Sequence, residues 1–161
     1  MRWLVGGLLG LVLFPVLGFV VLFGGVGPIG PLPGGVLWGE TREPAQDWSF
    51  TDAIGEIQVQ THVGPLPWSV TTWVLSSEGE LFIAAGNCDR VWTHRVMADP
   101  DIRLRISGVV YEMAARQETG RALGARLAPV VLAKYTGVAV DSANWIEEEQ
   151  TGCVFRVEPH L

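Results

Sequence analysis

The chain has 161 residues, of which 48% are hydrophobic and 17% charged, with a formal net charge of −6. The apolar fraction excludes a disordered chain, and the length leaves room for one soluble domain of ordinary size. Seventeen acidic against eleven basic residues argue against a nucleic-acid partner, which needs a basic stripe, and two cysteines are too few for a disulfide-built scaffold.

No charged residue occurs between Arg2 and Glu40, and residues 3 to 26 are almost wholly apolar. A helix over that run would be ~36 Å long against a hydrocarbon core of ~30 Å, so it can span a bilayer. A cleaved secretory signal would have a shorter apolar region followed by a small-x-small site, and neither is present. Gly24, Gly25, Gly27, Pro28, Gly30, Pro31, Pro33, Gly34 and Gly35 cannot continue a helix, which places its end near Phe23; Pro15 kinks its middle, and Trp3 and Trp38 suit the two interfacial belts. The expected organisation is a transmembrane anchor over residues 1 to 27, a Gly/Pro-rich linker over 28 to 44 and a domain over 45 to 161. The flanking charge is nearly balanced, Arg2 and the terminal amine on one side and Arg42 on the other. It tips towards a single pass through the cytoplasmic membrane with the domain extracytoplasmic. Gly6 and Gly10 on the helix suit close packing against a larger membrane complex, although glycine is common in such helices without any partner.

Residues 40 to 161 carry ten basic and seventeen acidic residues, a net charge of −7. Ile57, Val59, Thr61 and Val63 alternate with Glu56, Gln58, Gln60 and His62, the period of a half-buried strand. Residues 68 to 75 and 80 to 85 form two more strands around a hairpin turn ending at Gly79. Asp89 is placed to cap a helix over residues 90 to 98, which stops at Asp99-Pro100 because a residue before proline avoids helical dihedrals. Ile102, Leu104 and Ile106 alternate with Arg103 and Arg105, and Ser107-Gly108 turns the chain into a strand over 109 to 116. A second helix over 119 to 135 contains Pro129 and should be kinked or split. A last strand covers 153 to 157. Six strands make a barrel or a sandwich.

Trp48-Ser49-Phe50, Pro67-Trp68-Ser69-Val70, Gly79-Glu80-Leu81-Phe82-Ile83, Arg90-Val91-Trp92-Thr93-His94-Arg95, Asp99-Pro100-Asp101-Ile102-Arg103-Leu104-Arg105 and Val154-Phe155-Arg156-Val157 together resemble the split β-barrel family. That family includes the pyridoxamine-phosphate-oxidase-like flavin proteins and the deazaflavin-dependent nitroreductases, and the likeness is greatest to a membrane-anchored subgroup. It implies a mainly β fold, a six-stranded split barrel with two or more short helices. It also implies a groove for an isoalloxazine-type ring of FMN or a deazaflavin, often at a homodimer interface, with basic and hydroxyl residues on the phosphate. Carried over, Ser69, Thr71, Arg90 and Trp92 would hold the cofactor. His94, read from its chemistry alone, is either a proton donor to a reduced substrate or an ordinary hydrogen-bonded surface or interface histidine. The loop from Gly64 to Trp68 lacks the basic residue that deazaflavin-using relatives carry.

Other signals remain divided. Trp48, Trp68, Trp73, Trp92 and Trp145 suit either a flat ring or a barrel core. His62, His94 and His160 lack the spacing of metal ligands, so no metal is expected. Cys88 and Cys153 are either a disulfide or two buried thiols. Arg103 and Arg105 either grip an anion or pair with Glu112 on the next strand. Two functions stand level: a membrane-tethered oxidoreductase passing hydride or electrons to a small or quinone-like acceptor, and a cofactor-less accessory subunit of a larger membrane complex.

Overall fold

The alternation of apolar and polar residues along the second half of the chain is realised as a closed barrel. The computed structural model describes residues 27 to 64, 66 to 135 and 153 to 160. The expected membrane helix, Trp145 and the acidic run Glu147 to Glu149 lie outside the described residues. Among the described residues no helix is long and apolar enough to cross a membrane. The strands are β1 (Glu40–Thr41), β2 (Glu56–Thr61), β3 (Trp68–Ser77), β4 (Glu80–Ala85), β5 (Asp101–Ile106), β6 (Val109–Glu118) and β7 (Cys153–Pro159). The order β6-β5-β2-β3-β4-β7 closes on itself through β6 and β7, so every barrel strand is hydrogen-bonded on both sides and no edge is left in the barrel wall. All barrel pairings are antiparallel, and the two-residue β1 lies outside the barrel, parallel to β6.

Because side chains alternate along a strand, one set from each strand fills the interior. Ile57 and Val59, Val74, Leu81 and Ile83, Ile102 and Leu104, Met113, and Phe155 and Val157 form that core. Two-residue turns fix the register of both local hairpins. Glu78 and Gly79 have φ of 56° and 79°, and Ser107 and Gly108 have φ of 50° and 87°. These left-handed pairs match the twist of the flanking strands.

Two helices flank the barrel, α1 (Val91–Ala98) and α2 (Arg121–Lys134). Helix α1 begins one residue later than expected. Asp89 does not cap it; Arg90 occupies the cap position without a side-chain bond, and Thr93 Oγ1 donates instead to the Arg90 and Cys88 carbonyls, both at 2.6 Å. The helix ends at Asp99 in extended conformation, as the following proline requires. Helix α2 is a single helix despite Pro129, because Ala125, whose carbonyl loses its donor there, and Pro129 are both exposed. Its Leu127 and Val131 form a second cluster with Leu75, Phe82, Ala84 and Val154 on the outside of the barrel.

The barrel ends are plugged by tryptophans. Trp48, leading into a short 3-10 turn (Ser49–Ala53), donates its backbone N–H to the Gly79 carbonyl at 3.0 Å, and its ring meets the Tyr111 ring edge-on at 5.2 Å. At the opposite end Trp92 of α1 packs on Phe155 with ring centroids 5.5 Å apart. Beside it Cys88 and Cys153 are joined in a disulfide, their Cα atoms 4.9 Å apart. The Gln117 amide donates to both sulfurs, at 3.4 and 3.6 Å.

Candidate functional site

The outward faces of β2, β3 and β5 carry the polar residues that the alternation excludes from the core, and the segment 27 to 39 runs across them as a strap. Gly34 exchanges backbone hydrogen bonds with Ser69, at 2.8 and 2.9 Å. The Leu37 N–H donates to Gln60 Oε1 at 2.7 Å, and Leu37 is buried. The Gln58 amide donates to the Pro28 carbonyl at 3.2 Å, and Arg105 Nη1 donates to the Trp38 carbonyl at 3.1 Å.

Between this strap and the barrel lies a groove of about 470 Å³, lined by residues that include Glu56, Gln58, Thr71, Arg105, Ser107 and the strap's own Pro28 and Gly30. Arg105 is its central charge. Its Nε donates to Gln58 Oε1, so the guanidinium is oriented by neutral acceptors on two sides. Arg103, two residues earlier, forms a cross-strand ion pair with Glu112 at 2.5 Å. Among the described residues no carboxylate pairs with Arg105 within salt-bridge distance, which leaves its charge for an incoming anion. The cross-strand pairing read from the sequence is found at Arg103, while Arg105 is held by neutral acceptors instead.

The residues expected at the site are not gathered together. Thr71, half-buried on the outer face of β3, lines the groove. Ser69 shares that face but is sealed under Gly34, fully buried, and its hydroxyl has no hydrogen-bond partner among the described residues. Arg90, at the cap position before α1, and His94 on α1 are exposed, and Trp92 is a core residue at 7% exposure. Helix α1 covers the barrel end where Thr61 meets Trp68 and Ile102, with Arg95 Nη1 3.5 Å from Thr61 Oγ1 and its guanidinium over the Trp68 ring. The groove lies towards the other end, at Glu56 to Gln58 and the Ser107-Gly108 turn. Ser107, Gln58 and Glu56 were missed from the sequence because the groove exists only through the strap. The turn signal at Ser107-Gly108 was the one local hint.

A third cluster joins α2 to β3. Lys134 Nζ donates to the Thr51 and Val74 carbonyls at 2.8 and 2.7 Å, and burial lowers its pKa. The Tyr135 hydroxyl accepts from the Val74 N–H at 3.1 Å and has the Gly55 carbonyl and, at 2.8 Å, the Val74 carbonyl as acceptors for its one proton, and burial pushes its pKa up to about 12. These contacts dock the end of the helix rather than face a cavity.

No family model and no curated protein matches the chain. Solved structures do. A conserved hypothetical protein of Mycobacterium tuberculosis is 16% identical with a TM-score of 0.55, over 74% of this chain and 86% of that one. A pyridoxamine 5'-phosphate oxidase-like protein of Listeria innocua is 12% identical with a TM-score of 0.52, over 70% and 90%. An F420-H2 dependent reductase is 17% identical with a TM-score of 0.50, over 65% and 95%. The barrel is a split barrel. At these identities the likeness is one of fold, and the six-strand closure found here is its substance.

Proposed function

We propose that this chain is a membrane-anchored split-barrel oxidoreductase. In this reading it holds the phosphate of a flavin- or deazaflavin-type cofactor at Arg105 and Thr71 and passes hydride or electrons to a small or quinone-like acceptor. The observation that carries the reading is Arg105: a guanidinium aimed by Gln58 and the Trp38 carbonyl, without a carboxylate partner, beside the hydroxyl-bearing Thr71 and Ser107. A phosphate fits that donor set, since a fixed Arg fork and hydroxyl donors are what an anionic oxygen requires. Glu56 on the same wall disfavours a second anion there. The groove has few apolar walls for a flat ring, so the ring's second face would come from another copy of the chain. One structural neighbour with a TM-score of 0.50 is a domain-swapped dimer, which agrees with that requirement. When bound, the cofactor supplies the hydride chemistry, and the protein supplies anchoring and shape.

One observation favours the alternative, a cofactor-less accessory subunit packed against a larger membrane complex. Ser69 is closed off by the strap, and Arg90 and Trp92 lie at the far end of the barrel, so the donor set is smaller than the resemblance implies. Titration of the detergent-purified full chain with FMN and with F420 separates the two. The oxidoreductase reading expects saturable binding that Arg105→Ala weakens roughly 10- to 100-fold, the loss of one charge-assisted bond, while Arg90→Ala leaves it unchanged. No binding of either cofactor by the folded parent refutes it and leaves the accessory reading.

A further inference from the structure

The strap begins with a loop that leaves few of its backbone N–H groups unpaired. Gly34 is tied to Ser69, and a Cβ on Gly34 would collide with the Gly27 backbone, so the two ends of the loop 27 to 34 meet backbone to backbone. At the tip Ile29 and Leu32 exchange both backbone hydrogen bonds, at 3.1 and 3.0 Å, around Gly30 at φ of 55°. Pro28, Pro31 and Pro33 have no N–H. From 28 to 34, therefore, only the Gly30 N–H is not accounted for by one of these bonds or by a proline ring. The side chains turned outward are aliphatic: Ile29 is 66% and Leu32 60% exposed.

We propose that this loop is an interfacial membrane wedge. Ile29 and Leu32 enter the boundary between headgroups and acyl chains and hold the barrel in one orientation on the bilayer. Three features point to lipid as the occupant. No residue between Arg2 and Glu40 is charged, so no ion has to be desolvated. A chain segment near hydrocarbon is costly in proportion to its unpaired backbone donors, and between residues 28 and 34 this loop leaves only the Gly30 N–H outside a hydrogen bond or a proline ring. The distance is also short: Ile29 lies three residues beyond the apolar run and six beyond Phe23, at most ~10 and ~20 Å of extended chain respectively. The proposal rests on the membrane-anchor reading and adds a second contact to it. Its consequence concerns access. Pro28 and Gly30 are both wall of the groove and part of this loop, so the groove opens at the lipid surface, and a molecule partitioned into the membrane reaches it by a shorter path than one dissolved in water.

The described residues contain no free cysteine, so a single cysteine added at position 29, 32 or 78 is a unique site for a nitroxide label in the full chain. The positions are tolerant, because Ile29 and Leu32 are mostly exposed and Glu78 lies in the β3–β4 turn, at the far end of β3 from Ser69. The labelled chains are reconstituted into phosphatidylcholine vesicles and probed with oxygen, which concentrates in lipid, and with a water-soluble nickel complex. The wedge expects collisions with nickel several-fold fewer at 29 and 32 than at 78, with oxygen collisions undiminished. Equal nickel access at all three positions, in a chain that stays in the membrane through carbonate extraction, overturns the wedge and leaves the anchor standing. Collisions with both reagents reduced at 29 and 32 would mean a protein partner on the loop and also overturn it. Release of the chain by carbonate removes the anchor, and the wedge with it.

Discussion

Replacing Cys88 and Cys153 together by alanine removes a covalent closure that spans 65 residues, from the end of β4 to the start of β7. In the chain-entropy account such a loop costs the unfolded state about 14 cal/mol/K once it is cross-linked, equivalent to about 4.3 kcal/mol of stability at 25 °C. The bond also ties together the neighbourhoods of β4 and β7, paired strands that α1, β5, β6 and α2 separate in the chain, so the unfolded chain without it must find the β4–β7 pairing unaided. Both sulfurs accept the Gln117 amide, which the alanine pair leaves to water. For a domain of roughly 120 residues, at ~2.1 cal/mol/K of unfolding entropy per residue, a loss of about 4 kcal/mol lowers the melting temperature by about 16 °C. Near-ultraviolet circular dichroism of the full chain in detergent measures it, with the parent, the double variant and the reduced parent side by side. The reasoning fails if the double variant melts with the parent, or if the parent, denatured without reductant, exposes two maleimide-reactive thiols. Thiol trapping in intact cells extends the test to location, since a bond of this kind persists on the oxidising side of a membrane.

The Tyr135 hydroxyl, bonded to Val74 and to the Gly55 carbonyl, should make Tyr135→Phe cost about 1 to 3 kcal/mol in chemical denaturation, because the Val74 N–H and the Gly55 carbonyl lose this partner while the Val74 carbonyl keeps Lys134. Its pKa is raised from 10 to about 12 by burial, so the folded state keeps the proton longer than the unfolded one. The stability it contributes is complete below pH 10 and is lost as pH rises through 12; a denaturation midpoint in the phenylalanine variant that falls just as steeply over that window would contradict this. Gly34→Ala should lift the strap, since the new Cβ meets the Gly27 and Pro28 backbone, and limited proteolysis within residues 27 to 39 should become faster while the barrel stays intact. Unchanged cleavage would show that the strap does not depend on that contact.

What could be read from the chain was whatever its local pattern encodes. The period-two runs around Ile57, Leu81 and Ile102 became barrel strands because alternation alone decides which face of a strand avoids water. Ser107-Gly108 and Glu78-Gly79 became hairpin turns because glycine relieves the left-handed backbone there. Strand ends were read less well: β3 runs on to the turn of its own hairpin, and β6 and β7 run further than expected because each holds the other across the barrel seam, which no local window contains. The cap of the short helix was misplaced by one residue because Arg90 is itself still extended, φ −80° and ψ 145°, which moves the first helical residue to Val91 and takes Asp89 out of the cap position.

The candidate site was decided elsewhere. Arg103 and Arg105 are equivalent in the sequence, two arginines on one face of one strand. Only the register that sets Arg103 opposite Glu112, and the strap that brings Gln58 and the Trp38 carbonyl to Arg105, make one a structural ion pair and the other a free charge in a groove. Ser69 and Thr71 are likewise equivalent by pattern and separated only by where Gly34 lies. The sequence by itself determined the barrel strands, the main turns, the acidic surface and the long uncharged leader, because each follows from residues within a few positions of one another. The groove, the disulfide and the strap joined residues 23 to 67 positions apart, and contacts at that separation are set by closure of the whole barrel, which only the tertiary structure contains.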